Sequence, residues 1–394
     1  MSIFKVLNVG QGDSIIIRPP HGCRYNDETF FIDLGPGKND ITRDITDDEK
    51  VHIFLTHHDN DHLEGLRFFI GKMDQISEIT VPVYQNEITL IARAILNLKG
   101  ISSSRDCNEF IRALEEIVKN QVVVKSLVEG RASCPRLSFA YEGKYFCNHI
   151  ECLNPPMHVE SYNWIFEADK DSLVGFMHEV FTDSFAKEME LYIRANSNGQ
   201  SEVDSHEFNH FWLFNREDVV DEVSHMKCNY VLDFIMRNIV LFRKFNAKNT
   251  RMNLRNIYDD YVKCTHDVCM VLKTNFDGEK VLLTGDASKK VFNRLIREKK
   301  DITASYLKMP HHGSKHNMNK KILAKINPEV AIISHDNGHF GKAKDTHPNT
   351  EILNLLSQKN IEILLTNDVV KDGITVMKKD KHNTNSYVDI VDLG

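Results

Sequence analysis

The 394-residue sequence has no stretch that reads as a membrane span. Its most apolar helical run, Tyr230 to Phe245, is broken by Asp233, Arg237, Asn238 and Arg243, short of the roughly 18 uncharged residues a crossing helix needs. A soluble protein with no membrane partner is expected. The opening MSIFKVLNVGQGDSIII also lacks the basic region, apolar segment and cleavage site of a secretion signal, and runs straight into strand-like sequence. Low-complexity and repeated segments are absent, and 41% hydrophobic with 27% charged residues is the balance of a chain that folds rather than stays disordered. The eight cysteines are scattered rather than arranged as a disulfide framework, which fits reduced thiols and a cytoplasmic location. Two C-x4-C pairs, Cys147/Cys152 and Cys264/Cys269, fall in apolar, β-like runs where a free thiol packs as a small core residue in preference to binding zinc.

Positive charge is short as well. A formal net charge of −7 excludes a general coat for nucleic acid. The distribution is uneven, however: between Lys289 and Lys325, lysines and arginines are opposed only by Glu298 and Asp301. That stretch reads either as a track for phosphates, with Lys308 and Lys315 as nucleic-acid contacts, or as a solvated helix face.

Short β-branched runs bounded by Gly, Pro and Asp predict strands over Ile3–Val9, Ser14–Arg18, Thr29–Asp33 and Val51–Thr56. A helix is predicted over Asn108–Asn120, and strand character over Tyr145–Leu153. From about Val159 to Tyr261 apolar residues recur at three and four, the period of helices. Strands and helices then alternate from Val268 to Met377. These patterns predict an α/β sandwich, two facing sheets with helices outside, carrying a large helical insertion. The boundaries follow as residues 1–156 for the N-terminal half, 157–262 for the insertion and 263–394 for the C-terminal half.

The segment VHIFLTHHDNDHLEG carries the most chemistry. An apolar strand, Val51 to Leu55, runs directly into His57, His58, Asp59, Asp61 and His62. A rigid strand aims these groups and the loop beyond it lets them converge, as adjacent divalent ions require. Buried or scattered without such a counter-charge, they would cost several kcal/mol per ion.

This segment resembles the H-x-[HD]-x-D-H signature of the metallo-β-lactamase superfamily, in its ComEC-type version with Asp at the third place. VLNVGQGDSIII, FIDLG around Asp33, VLLTGD ending in Asp286 and LKMPHHGS with His311 and His312 match that subfamily in order; His347-Pro348 is a weaker match. The resemblance implies an αββα metallo-β-lactamase sandwich and two divalent ions, zinc or manganese. It makes His57, Asp59, Asp61 and His62 the first ligand cluster and Asp286 the carboxylate between the ions. One of His311 and His312 would complete a shell, and the other would donate to a phosphate oxygen or leaving group. His311 as ligand and His312 as catalytic donor is the assignment carried forward, with Asp61 also orienting the nucleophile. His266 lies where a further superfamily ligand usually stands; a surface turn residue is the competing reading. His347 is a metal or substrate candidate. Asp33 is expected behind the ligands, fixing a turn, and Gly10, Gly12 and Asp13 form a tight turn near the site. His316, His335 and His339 are expected at the surface.

The function implied is phosphodiester hydrolysis of DNA or RNA by a hydroxide held between the ions. Alternatives are hydrolysis of a small molecule, ester or peptide on the same fold, or an effector subunit of a bacterial defence complex whose helical insertion binds a partner protein.

Overall fold

The computed structural model describes residues 3–19, 23, 25, 27–38, 40–101, 107–128, 135–157, 170–195, 222–245, 250–276, 278–336, 346–371, 374–378 and 388–392. His339, and the parts of the expected insertion at 158–169 and 196–221, lie outside these residues. The described chain divides into two compact units, residues 1–83, 127–156 and 266–394 in one and 84–126 with 157–265 in the other.

The first unit holds two seven-stranded sheets. One comprises β1 (Ile3–Leu7), β2 (Ser14–Arg18), β3 (Glu28–Leu34), β4 (Lys50–Phe54), β5 (Ile76–Pro82), β6 (Arg136–Ala140) and the C-terminal β16 (Val388–Asp392), in the order β16-β1-β2-β3-β4-β5-β6. The other comprises β7 (Tyr145–Cys147), β8 (Ile150–Asn154), β9 (Val271–Phe276), β10 (Glu279–Leu283), β11 (Tyr306–Lys308), β12 (Val330–Ile333) and β13 (Glu362–Leu365), in the order β13-β12-β11-β10-β9-β8-β7. Both are mixed: β3 to β6 pair in parallel in the first, β10 to β13 in the second. A two-stranded ribbon, β14 (Val369–Lys371) and β15 (Ile374–Met377), follows.

The period-two alternation of a strand decides which side each residue serves. Val281 and Leu283 of β10 and Ile332 of β12 join Phe4, Ile15, Phe30 and Phe54 of the opposite sheet in one core, so the sheets pack face to face. Leu282, Ala331 and Ile333 point the other way, onto α9 (Lys289–Arg297), α10 (Lys320–Ile326) and α11 (Thr350–Gln358) through Phe292, Leu295, Ile322 and Leu356. Strands buried on both faces read as continuous apolar runs, as these do. The outer face of the first sheet is covered in part by the segment Glu64–Gln75, where Phe69 meets Phe31 edge-on.

The second unit is helical among the described residues, with α2 (Gln85–Leu96), α3 (Asn108–Val128), α4 (Lys170–Val180), α5 (Asp183–Ala195), α6 (Glu222–Arg237), α7 (Ile239–Lys244) and most of α8 (Thr250–Asp267). It takes in residues 84–126, which the sequence reading kept with the N-terminal strands. Cys264 belongs to helix α8, whereas the sequence suggested a β-like run. Cys23, Cys107, Cys147, Cys152, Cys264 and Cys269 are free and buried. No helix among the described residues is long and apolar enough to cross a membrane.

Candidate metal centre

The site forms at one edge of the sandwich, beyond the C-terminal ends of β3, β4, β10, β11 and β12. Parallel strands bring their carboxyl ends, and the loops that follow, to a common edge, where open α/β sheets bind ligands. Asp33 ends β3 in left-handed backbone (φ 58°). Its carboxylate accepts from the Thr56 amide and the Thr56 hydroxyl, at 2.7 Å each, and from Nδ1 of His62 at 2.7 Å. A carboxylate only accepts, so Nδ1 of His62 carries a proton and, in the neutral ring, its Nε2 is a lone pair.

The same reasoning fixes His57. The single hydroxyl proton of Thr56 goes to Asp33, so the Thr56 oxygen accepts from Nδ1 of His57 at 3.1 Å, which in the neutral ring leaves Nε2 as the lone pair. Nδ1 of His312 donates to the Ser334 carbonyl at 3.1 Å, while its Nε2 stands 3.2 Å from Oδ2 of Asp61. Such a proton on the far nitrogen is the usual dress of a metal-binding imidazole.

The Nε2 atoms converge on Asp286, which ends the strand-turn LLTGD. Its Oδ2 lies 3.8 Å from Nε2 of His57, 3.9 Å from that of His266 and 3.6 Å from that of His311. Its Oδ1 lies 3.5 Å from Nε2 of His62 and 4.0 Å from that of His312. Asp59 approaches His57 at 3.5 Å and His266 at 3.9 Å, and Asp61 approaches His312 at 3.2 Å and His62 at 4.0 Å. Nε2 of His57, His62 and His266 and Oδ1 of Asp286 are buried without a hydrogen-bond partner. Each such orphan costs about 1–3 kcal/mol, so four aimed at one small volume make it a place where a cation could be held. The ligand atoms of His57, Asp59 and His266, of His57, His62 and Asp286, of Asp61, His62 and His312, and of His266, Asp286 and His311 lie within 4.8 Å of one another in each group. These groups could hold a metal ion.

Electrostatics follow from this crowding. Burial alone would raise the carboxyls of Asp59 and Asp286; the surrounding imidazoles outweigh it and hold both well below the ordinary range. Burial pushes His58 down to about 4 and His311 down to about 3.

Local backbone accommodates the convergence. His311 (φ 47°) and His312 (φ 54°) are both left-handed, a strain of order 1–3 kcal/mol each that turns adjacent imidazoles toward different oxygens of Asp286. Gly12 (φ 129°) lets the β1–β2 turn press on the site, since a Cβ there would stand 2.2 Å from the Asp61 carbonyl oxygen.

Several expectations need correction. Lys308 is fully buried, its ammonium 2.7 Å from Asp13, so it is not available to touch nucleic acid. His335, two residues beyond β12, is fully buried too, its Nε2 held against the Asn367 carbonyl at 2.8 Å. His266 is not a surface turn residue: it occupies the last turn of α8 and is 7% exposed. His316 is exposed and Lys315 pairs with Glu351 at 3.1 Å. His347 is buried with its ring 4.8 Å from that of His311. His312 lies beside Asp61 and His62 in a group that could hold a metal ion; the sequence left open which of His311 and His312 is the ligand. Sequence reasoning missed Thr56, Cys269 and Asn317. Cys269 accepts the Asp286 amide at 3.2 Å and lies 3.7 Å from Nδ1 of His57, yet nothing in its apolar run marks it.

No protein-family model matches the chain. One stretch does resemble a known protein. Over 97 residues it is 31% identical to ComE operon protein 3 of Bacillus subtilis (strain 168), covering 25% of this chain. The match spans 12% of that protein's length.

Proposed function

We propose that the protein is a hydrolase of the metallo-β-lactamase fold whose centre takes two divalent ions and cleaves phosphodiester bonds in nucleic acid. The observation that carries this reading is the convergence of partnerless Nε2 atoms and carboxylate oxygens on the two sides of Asp286. His57, Asp59, His266 and Oδ2 of Asp286 would hold one ion, and Asp61, His62, His312 and Oδ1 of Asp286 the other. The face-to-face sheets with helices outside, and the partial similarity to ComE operon protein 3, support the fold assignment.

Bound ions would supply positive charge to a phosphate and acidify water at neutral pH. The chain's own groups do the rest. Asp59 and Asp61 are 30% and 19% exposed in their side chains while Asp286 and His62 are enclosed, so water and substrate enter on the side of Asp59 and Asp61. Asp61 is the carboxylate placed to orient an attacking water there. Asp33 and Thr56 keep His62 and His57 in one tautomer and orientation throughout. Mixed imidazole and carboxylate donors suit zinc or manganese. A nucleic-acid substrate is favoured by the exposed Lys299, Lys320, Lys321 and Lys325 on and after α9 and α10, which can neutralise phosphates.

The test is cleavage of labelled single- and double-stranded DNA and RNA by chelator-stripped protein resupplied with Mn, Zn or Mg. Asp286→Ala should lower the rate by about a hundredfold or more, the scale of losing a main electrostatic stabiliser. Metal-loaded protein that leaves every polymer intact would shift the reading to a small-molecule hydrolase.

A further inference from the structure

The paired histidines of PHHGS pose a question that the sequence leaves open, namely which of them faces an ion. His312 is held between the Ser334 carbonyl and Asp61, with Nε2 on the side of Asp61. His311 is settled by Asn317. The side-chain amide of Asn317 is buried, and its Nδ2 donates to the carbonyls of Asp286 at 3.0 Å and Ala287 at 3.1 Å. Its Oδ1 is thereby turned to Nδ1 of His311, 3.2 Å away. An amide oxygen only accepts, so Nδ1 of His311 carries the proton and Nε2 is a bare lone pair, directed at Oδ2 of Asp286 across 3.6 Å. A neutral imidazole with its proton already committed to Asn317 is a poor proton donor and a good ligand.

Building on the two-ion reading above, we infer that His311 binds the ion on the Oδ2 side of Asp286, so that the adjacent histidines are divided between the two ions. The Oδ2 position then has three imidazoles, from His57, His266 and His311, besides Asp59; the Oδ1 position has two, from His62 and His312, besides Asp61. The consecutive left-handed residues are what permit the division, since they turn neighbouring side chains to opposite oxygens of one carboxylate. The positions are therefore unequal. The nitrogen-rich one fills first and favours zinc over manganese, while the oxygen-richer one is the more tolerant of manganese.

The experiment is a calorimetric titration of Mn(II), and separately Zn(II), into the chelator-stripped full chain, with bound metal counted by mass spectrometry. Wild type is expected to bind two ions in two resolvable steps. His311→Ala, and His311→Gln, which keeps the side-chain bulk should alanine disturb the loop, should weaken the tighter step by about tenfold or more and leave the other unchanged. His312→Ala should do the reverse. Two wild-type-like steps in both His311 variants would overturn the inference while leaving the function standing, and lost cleavage with intact binding would reassign His311 to proton transfer. A wild-type chain that takes up no metal would overturn the function and this inference together.

Discussion

Strand β4 and the loop after it bury two kinds of residue within three positions, and the contrast between them explains the molecule. Phe54 is fully enclosed between the sheets, stacked 4.2 Å from the ring of His52 and edge-on to Phe30 and Phe146 at 5.4 and 4.8 Å. His57 is 2% exposed and almost as deep, yet its Nε2 meets no partner. Burial stabilises at the first position, where it removes apolar surface from water. At the second it is unfavourable until something charged arrives. Depth alone therefore does not mark a functional residue; several buried, partnerless polar atoms aimed at one small volume do.

The contrast is broken most severely from the core side. Phe54→Ala should cost about 3–5 kcal/mol of stability, read as a fall in the urea midpoint, while the folded fraction still takes up metal. Loss of metal uptake in folded Phe54→Ala protein would show that core and site are not separable in this way. The next effect is that of the ion itself. At a metal concentration about a hundredfold over the dissociation constant, binding should add about 2.7 kcal/mol for each ion, so chelator should lower the melting temperature clearly. Equal melting with and without metal would mean that the orphaned nitrogens have some other use. Smaller still is the loss of a supporting group: Asp33→Asn removes the acceptor behind His62 and should weaken metal binding by about 10–100-fold, measured by competition with a chromogenic chelator.

What the sequence revealed follows from how local each signal is. The candidate ligands of HHDNDH sit within six consecutive positions and Asp286 closely follows an apolar strand, so both stood out in the sequence. The apolar runs of β10 and β12 likewise announced strands. Strand β16 was not foreseen, because its partner β1 lies at the other end of the chain and pairing across that separation leaves no periodic trace. Helix α2 was missed since its β-branched Ile88, Thr89 and Ile91 blur the helical period. Lys308 was misread for a related reason: a lysine in a basic stretch looks solvated until Asp13, nearly three hundred positions away, is brought against it. His266 was ambiguous because its value depends entirely on which residues the fold sets beside it.

That buried pair supplies the mildest test. Burial would raise the Asp13 carboxyl, but Lys308 first, then His312 and His62, outweigh it and hold the group below its ordinary value. A carboxyl whose folded pKa is depressed contributes stability that is complete above the unfolded value of about 4 and is lost as pH falls through the lower folded value, because the unfolded chain then binds the proton more readily. In metal-free protein the urea midpoint should therefore drop between about pH 4 and the folded pKa. The double substitution Asp13→Asn with Lys308→Met removes both charges and leaves no lone ion buried, so its midpoint should vary less steeply across that window. Equal slopes in the two proteins would assign the acid sensitivity to other carboxylates, and would place the Asp13–Lys308 pair with Phe54, as packing between the sheets, instead of with the site.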